Sequence, residues 1–261
     1  MLHHNTLPPF IHPHLISSDI ENPLVEPLTN CINLVRMISS EAKGSRKLFW
    51  KNVRLECERL LAEHRQLTKW EMLTAMQALS IYILIRLDEG ETDHNNFDSL
   101  LLATVTVIAQ QFNHYDFTSS SAPCNYDLES SWKEWIFEES RRRLALIYRV
   151  VDMIVFFEPA RMCTLPADLI LAPLPAKKQL WEAGNASEWK TRSERVSGAH
   201  SIFGLAANGE LVGLGEDQVY CSHAVLLDES APTRSTASWE EWCSGMDGLG
   251  GLVMLAASLI V

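Results

Sequence analysis

The sequence predicts an all-α protein built from an irregular set of antiparallel helix pairs, with one small β-hairpin near residues 202–213. Apolar residues recur at the three- and four-residue spacing of amphipathic helices in several segments. Capping boxes, in which a Ser or Thr is followed three residues later by Glu, mark helix starts at Thr68 and Ser131. Asn208-Gly209 between apolar flanks predicts the hairpin, because this dipeptide accepts the positive φ angles of tight turns.

The first half of the chain is expected to hold helices after an extended lead-in of residues 1–25, which is rich in Pro and His. The predicted helices span residues 24–38, 46–64, 68–90 and 100–112. The short connection between the second and third of these favours an antiparallel pair. The third carries a one-sided apolar stripe and ends at Gly90, whereas the fourth is apolar nearly all round and is predicted to be central.

A long helix is predicted to open the segment from Ser130 to Ala183, with the Ser131 capping box as its start. Acids and bases stand four residues apart after that start, which predicts ion pairs on one solvated face. The predicted pairs are Glu138 with Arg142 and Glu139 with Arg143. Residues 144–157 are almost all apolar, so the second half of this helix is expected to be buried on most sides.

Shorter elements are expected after this helix. A loop punctuated by Pro166, Pro173 and Pro175 leads to a short helix with Trp181, and residues 182–195 form a polar helix. Ser238-Trp239-Glu240-Glu241-Trp242 is interpreted as another capped helix start. The final apolar run of 13 residues predicts a folded C-terminal helix that is too short to span a bilayer.

The composition argues against several classes of protein. The chain has 261 residues, a formal net charge of −11 and a pI of about 5.3, so it is not expected to wrap phosphates by itself. The six cysteines are dispersed and form no Cys-x-x-Cys motif of a zinc or redox site. The N-terminus lacks the basic and apolar regions of a signal peptide. We therefore expect a soluble intracellular protein without membrane contact.

Three clusters resemble functional sites, and each has a simpler interpretation. The N-terminal histidines would need an Asp or Cys nearby to complete a metal site, and Pro-Phe-Ile-His-Pro is more typical of an anchoring strand. The loop Asp88–Asp93 lacks EF-hand spacing and is explained by one helix end and the next helix start. Arg141-Arg142-Arg143 follows two acids by one turn, which favours a self-neutralised face over phosphate binding. The histidines concerned are His3, His4, His12 and His14.

No catalytic motif is present in the sequence. Gly-x-Ser-x-Gly, Gly-x-x-x-x-Gly-Lys and His-Glu-x-x-His are all missing, so no catalytic, cofactor-binding or metal-binding residue is predicted. The eight tryptophans are expected to be core or interface anchors. An alternative hypothesis is a helical small-molecule-binding protein or enzyme, which would need a pocket with convergent polar groups and a buried acid or His.

Several short motifs occur in a fixed order along the chain. They are a Trp-x-x-Trp stretch, a Glu-Ser-x-Arg-Arg helix and a Pro-Leu-Pro element followed by Leu-Trp-x-Ala. The positions concerned, which are expected to be structural, are Trp132, Trp135, Glu139, Arg142, Arg143, Pro173, Pro175 and Trp181. Together these motifs resemble the middle regulatory domain of fungal zinc binuclear-cluster transcription factors.

The resemblance implies a transcription regulator whose helical domain, residues 26–261, works in the nucleus through protein contacts and effector binding rather than as an enzyme. Members of the family carry a compact six-cysteine block that holds two zinc ions and reads DNA. Here the cysteines are dispersed, so zinc is expected only in full-length relatives and direct DNA binding by this chain is in doubt. Expected partners are a full-length regulator or the transcription machinery, in a homo- or heterodimer. The chain is then a truncated regulator or a stand-alone modulator.

Overall fold

The computed structural model describes residues 7–17, 25–40, 42, 44–119, 127–155, 169–195, 202–214 and 239–260. The chain divides into two compact units. We call Pro13–Cys124 the helical unit, and Met1–His12 together with Asn125–Val261 the mixed unit. The mostly helical fold with a small antiparallel sheet confirms the predicted fold class.

The helical unit is built from helices that pack on one another in pairs. Helix α2 contacts α3 and α4, α5 contacts α3 and α4, and a single 3₁₀ turn, His64–Gln66, joins α3 to α4. This short connection is the one predicted at residues 64–68. The helices are α1 (His14–Ser17), α2 (Glu26–Ser39), α3 (Ser45–Glu63), α4 (Lys69–Glu89) and α5 (Asp98–Ser119).

Helix α4 is the central helix of this unit. Every side chain from Met72 to Ile83 is buried, because α2 and α5 both pack against it. The prediction of a one-sided stripe was therefore too narrow. The prediction that the following helix is central was wrong, since α5 exposes Leu102 at 48% and Ala103 beside it.

The ends of α4 follow the local sequence signals. The Thr68 hydroxyl accepts a hydrogen bond from the Glu71 amide at 3.3 Å, and the Glu71 carboxylate accepts one from the Thr68 amide at 2.8 Å. The capping box is thus confirmed. At the other end Gly90 has φ +71°, a left-handed value that glycine adopts without a Cβ penalty, which confirms the predicted stop.

The mixed unit combines helices with a three-stranded antiparallel sheet of order β1-β2-β3. The hairpin β2–β3 turns at Asn208-Gly209, where Gly209 has φ +78°, and this confirms the predicted hairpin. The elements are α6 (Leu128–Val155), β1 (Ile170–Pro173), α7 (Lys178–Trp181), α8 (Ala186–Arg195), β2 (Ile202–Ala206), β3 (Leu211–Leu214), α9 (Trp239–Cys243) and α10 (Gly248–Ile260).

Strand β1 is an element that the sequence reading missed. The residues before Leu174 were predicted to be a proline-punctuated loop, yet Ile170 pairs with Ala206 and Pro173 with Gly204. Because β1 is an edge strand and Pro173 is its last residue, the missing N–H of the proline costs no ladder hydrogen bond in the interior of the sheet. Pro166 lies outside the described residues.

Helix α6 begins four residues earlier than predicted. The Asp127 carboxylate accepts a hydrogen bond from the Ser130 amide at 3.0 Å, so Asp127 is the cap that Ser131 was expected to be. Hydrogen bonds from Ser130 lower the pKa of this exposed carboxyl. Between residues 144 and 153 only Ala145 and Asp152 are exposed, which confirms burial on most sides in this part of the predicted run, whereas residues 156 and 157 lie outside the described residues.

The last two helices agree with the sequence signals. Trp242 on α9 is buried, and α10 covers the predicted C-terminal run, although Met254 and Leu255 are 44% and 54% exposed. Ser238, the expected cap of α9, lies outside the described residues. Among the helices described here, none has both the length and the apolar character required to cross a membrane.

Substitution of Thr68 by Ala is expected to destabilise the start of α4 by about 1 kcal/mol, because an orphan amide loses its acceptor. The matched control is Thr106→Ala, at an exposed position inside α5 where alanine is the better helix former. Hydrogen exchange of the amides at residues 70–75 measures the first effect. Equal exchange in wild type and Thr68→Ala would contradict it.

Candidate functional site

The motif residues predicted from the sequence all lie in the mixed unit, and several of them meet around one guanidinium group. We use the name Arg143 network for Glu139, Arg142, Arg143, Asp247 and Trp181, together with the backbone of Pro9 and Ala176. Glu139 and Arg143 are fully buried, and Arg142 is 8% exposed. This is the candidate site that the chain's chemistry singles out.

The inner part of the network follows from helical spacing on α6. Glu139 stands three residues before Arg142 and four before Arg143, so one carboxylate can accept from both guanidinium groups. Its Oε1 accepts from Nε of Arg143 at 2.8 Å, and its Oε2 accepts from Nε of Arg142 at 2.9 Å. Oε1 also accepts from the amide of Ala176 at 2.8 Å. The carboxylate thus ties α6 to the loop after β1.

The outer part of the network joins Arg143 to distant segments of the mixed unit. Its Nη1 donates to the carbonyl oxygen of Pro9 at 2.9 Å and to Oδ2 of Asp247 at 2.5 Å. Its Nη2 donates to the carbonyl oxygen of Ala176 at 3.3 Å. One planar guanidinium thereby binds the lead-in, the loop before α7 and the start of α10.

Aromatic rings cover the faces of the network. The Arg143 guanidinium lies 4.1 Å from the ring centroid of Trp181, a cation–π contact inside the unit. His12 lies edge-on to Trp181 at 4.7 Å and to Trp132 at 6.1 Å between ring centroids. The lead-in therefore packs as an anchoring segment against α6 and α7. His3 and His4 lie outside the described residues, so the described part of the chain brings no N-terminal histidine cluster together.

Burial corrects the predicted solvated face of α6. The pairing of Glu139 with Arg143 is confirmed, but both side chains have no exposed surface. Arg142 pairs with Glu139 instead of Glu138, and Glu138 pairs with Arg141 at 3.3 Å. Two acids and two bases compensate one another in the interior, which is the condition for burying charges at all. The network therefore has a structural role, and the arginine triplet is turned toward its own chain.

Asp247 is the network residue that the sequence reading did not assign. Its Oδ1 accepts from the amide of Leu249 at 3.0 Å, so the same carboxylate caps α10 and neutralises Arg143. The role of Asp247 as a helix cap could be predicted, because an Asp stands directly before a glycine-rich apolar run. Its ion pair with Arg143 could not be predicted, because 104 residues separate the two.

The remaining motif residues support the network without joining it. Pro175 is buried directly before Ala176, and half-buried Pro173 ends β1. Trp135 lies one turn of α6 before Glu139 and packs against Trp189 of α8, with ring centroids 5.8 Å apart. Arg149 donates to the carbonyl oxygen of Leu171 at 3.0 Å and fixes α6 against β1.

The buried thiols of the helical unit are unsuited to nucleophilic chemistry. Burial raises the pKa of Cys31 to about 12 and that of Cys57 to about 11, so both are protonated at neutral pH. Burial also raises the pKa of the nearby Tyr82 hydroxyl well above its ordinary value. No group of three or more His, Cys, Asp or Glu side chains suited to a metal ion occurs in the described ranges.

A groove of about 430 Å³ lies between α2 and α3 in the helical unit. Asn30, Asn33 and Asn52 offer amide groups to it, and Glu56 and Arg59 are paired at 2.7 Å within it. The groove therefore holds one buried acid, Glu56, and both oxygens of its carboxylate already accept hydrogen bonds from Arg59.

Arg143→Leu is expected to destabilise the mixed unit by about 3–5 kcal/mol, because it leaves Glu139 and Asp247 without their buried partner. Lys133→Leu is the matched control on the same helix, since Lys133 pairs with Glu129 at the surface, with side chains 49% and 46% exposed. Asp247→Asn keeps an oxygen for the α10 cap and removes only the charge. The midpoint of urea unfolding should be highest for wild type and Lys133→Leu, lower for Asp247→Asn and lowest for Arg143→Leu. Similar midpoints for Arg143→Leu and Lys133→Leu would refute the structural role of the network.

Cys31 and Cys57 are expected to resist alkylation by iodoacetamide while the protein is folded, even as the pH rises from 7 to 9. Their pKa values in the folded protein exceed the ordinary value of 9.0. The protonated thiols therefore contribute fully to the stability of the folded state below about pH 9, and this contribution is lost as the pH rises toward 11 to 12. Peptide mass spectrometry measures the labelling, with the half-buried Cys243 as internal comparison. Labelling of the folded protein at the rate seen in denaturant would contradict burial of the thiols.

Comparison with known proteins gives one informative similarity. The chain is 27% identical over 143 residues to a transcription factor of Zymoseptoria tritici. The matched region is 54% of this chain and 12% of that protein, so the chain corresponds to a small part of its relative. No protein-family model and no solved structure matches the chain.

Proposed function

We propose that this chain is a helical regulatory domain of a transcription regulator and that it acts through contacts with other proteins. The observation that carries the proposal is the similarity to a transcription factor over 54% of the chain. Because the match covers only 12% of that relative, a role as one domain of a larger regulator agrees with it better than a complete DNA-reading protein does.

The chemistry of the described residues supports a role in protein contacts over a role in catalysis. The strongest cluster of charges, the Arg143 network, has balanced charges that pair within the chain, and Glu139 and Arg143 at its centre are fully buried. The thiols Cys31 and Cys57 are protonated at neutral pH. Side chains of this kind hold a scaffold together and leave its surface to interact with partners.

The finer proposal rests on the resemblance to fungal zinc binuclear-cluster regulators. It places the protein in the nucleus, with a full-length regulator or the transcription machinery as partner and with zinc held by full-length relatives. An effector would find hydrogen-bonding amides in the groove between α2 and α3. The net charge of −11 opposes direct DNA binding by this chain, because nonspecific affinity for phosphates needs clustered cations.

A tethering experiment tests the proposal. The full chain is fused to a foreign DNA-binding domain, and transcription of a reporter with the matching sites is measured. We expect transcription to change, upward for an activator and downward for a repressor. The matched control is the same fusion carrying Arg143→Leu, which should lose the effect because the mixed unit is destabilised.

The fusion proteins are compared at equal nuclear amounts, measured by immunoblot. Lys133→Leu serves as the surface variant that should retain the effect of wild type. Unchanged transcription with the folded wild-type fusion would speak against a regulatory domain.

A further inference from the structure

One side of α3 carries an apolar stripe that the helical unit covers only in part, beside the groove between α2 and α3 that Asn52 and Leu55 also line. Leu48 and Leu55 are 49% and 53% exposed, and their seven-residue spacing places them on one side of the helix. Asn52 lies between them, and the exposed Ala62 extends the same side by two turns. Single exposed leucines are ordinary on protein surfaces, so the charges around them decide what this stripe means.

The charges of α3 are separated along its length. Residues 45–54 hold Arg46, Lys47, Lys51 and Arg54 without an acid, whereas residues 55–63 hold three glutamates and Arg59. The glutamates are Glu56, Glu58 and Glu63. The helix thus has a basic first half and an acidic second half.

This order of charges opposes the dipole of the helix. The N-terminus of a helix carries partial positive charge and the C-terminus partial negative charge, so cations early and anions late are unfavourable. Helix α3 has no acid in its first turn and no base in its last turn. Its start is capped by the backbone of Gly44 at φ +83° without a side-chain acceptor. Helix α3 therefore lacks a side-chain cap and terminal charges that would favour its dipole.

Part of this charge is neutralised within the chain and part is left over. Arg46 pairs with Glu89, Arg54 with Glu58, and Arg59 with Glu56 and Glu63. Within the described part of the chain, Lys47 and Lys51 have no carboxylate within 4 Å. The Arg54–Glu58 pair is 60% and 51% exposed, so Glu58 remains available to another cation.

We propose that α3 is a self-association surface and that its occupant is α3 of a second copy of this chain, packed antiparallel about a twofold axis. A twofold axis at Leu55 brings the two Leu55 side chains together and places Leu48 over Ala62 of the second copy. Lys51 then lies within one residue of the level of Glu58 of the second copy, an axial offset of about 1.5 Å that these long side chains can span, and the reverse contact forms as well. The basic half of each helix faces the acidic half of the other, and the two dipoles compensate.

The size of the surface sets the strength of the expected dimer. Standard interfaces bury roughly 800 Å² per partner around a central apolar cluster, and α3 offers two half-exposed leucines and one alanine for that centre. The dimer is therefore weak and transient, with a Kd on the order of 10⁻⁵ M.

Sedimentation velocity on the full chain over a wide concentration range tests the proposal. Wild type should shift reversibly from monomer to dimer, and Leu55→Glu should remain monomeric at every concentration. Leu102→Glu is the matched control, because Leu102 is 48% exposed on α5 of the same unit and lies outside α3. It should dimerise like wild type, and circular dichroism confirms that all three proteins are folded.

A charge exchange tests the register of the helices. Lys51→Glu places acid opposite acid, and Glu58→Lys places base opposite base, so each variant alone should be monomeric. An equimolar mixture restores both contacts in a heterodimer and should sediment as a dimer. Because the exchanged side chains are exposed, this rescue separates a true interface from a folding defect.

A wild-type chain that stays monomeric throughout overturns the proposal, as does dimerisation that Leu55→Glu leaves intact. Dimerisation that depends on Leu55 but shows no rescue in the mixture overturns the antiparallel register. The inference stands apart from the regulatory function, because sedimentation of the purified chain does not involve transcription. Failure of either experiment therefore leaves the other interpretable.

Discussion

The buried guanidinium of Arg143 is the constraint on which the mixed unit depends. A cation without access to water must find acceptors within the protein, because an unpaired buried charge costs more than most single contacts provide. The acceptors come from Glu139 one helical turn away, and from Pro9, Ala176 and Asp247 at separations of 33 to 134 residues. The lead-in, the loop after β1 and the start of α10 must all be in place before this charge is satisfied.

The helical unit is organised by a different principle. Its central helix α4 is buried over residues 72–83 by apolar packing, and its ends are set by local devices, the Thr68 capping box and Gly90. The charged pairs described on α3 lie mainly at the surface, where each contributes little to stability. Within this unit, packing decides which helices are central and polar groups decide where they begin and end.

Features with a local cause were predictable from the sequence, and features with a distant cause were not. The Thr68 box, the Gly90 stop, the turn at Gly209 and the pairing of Glu139 with Arg143 each depend on residues within five positions of one another. The burial of that pair depends on Asp247 and Pro9, whose positions no periodicity reveals. Strand β1 is equally non-local, because its ladder partner is β2. The start of α6 was misplaced because Asp127 and Ser131 are both good caps four residues apart, and propensity alone does not rank them.

Burial of the Arg143 network determines which charges of the chain can take part in recognition. The Arg143 network sums to zero inside the unit, so its two arginines add nothing to the field that a partner meets. On the described surface of the helical unit, the basic half of α3 stands out in a chain of net charge −11. It is short, and an acidic half of the same helix follows it, so its field is dipolar and falls off within about a Debye length of 8–10 Å. A uniform polyanion such as DNA is attracted to the basic half of α3 and repelled by its acidic half. A protein surface with the opposite order of charges forms favourable electrostatic interactions with both halves.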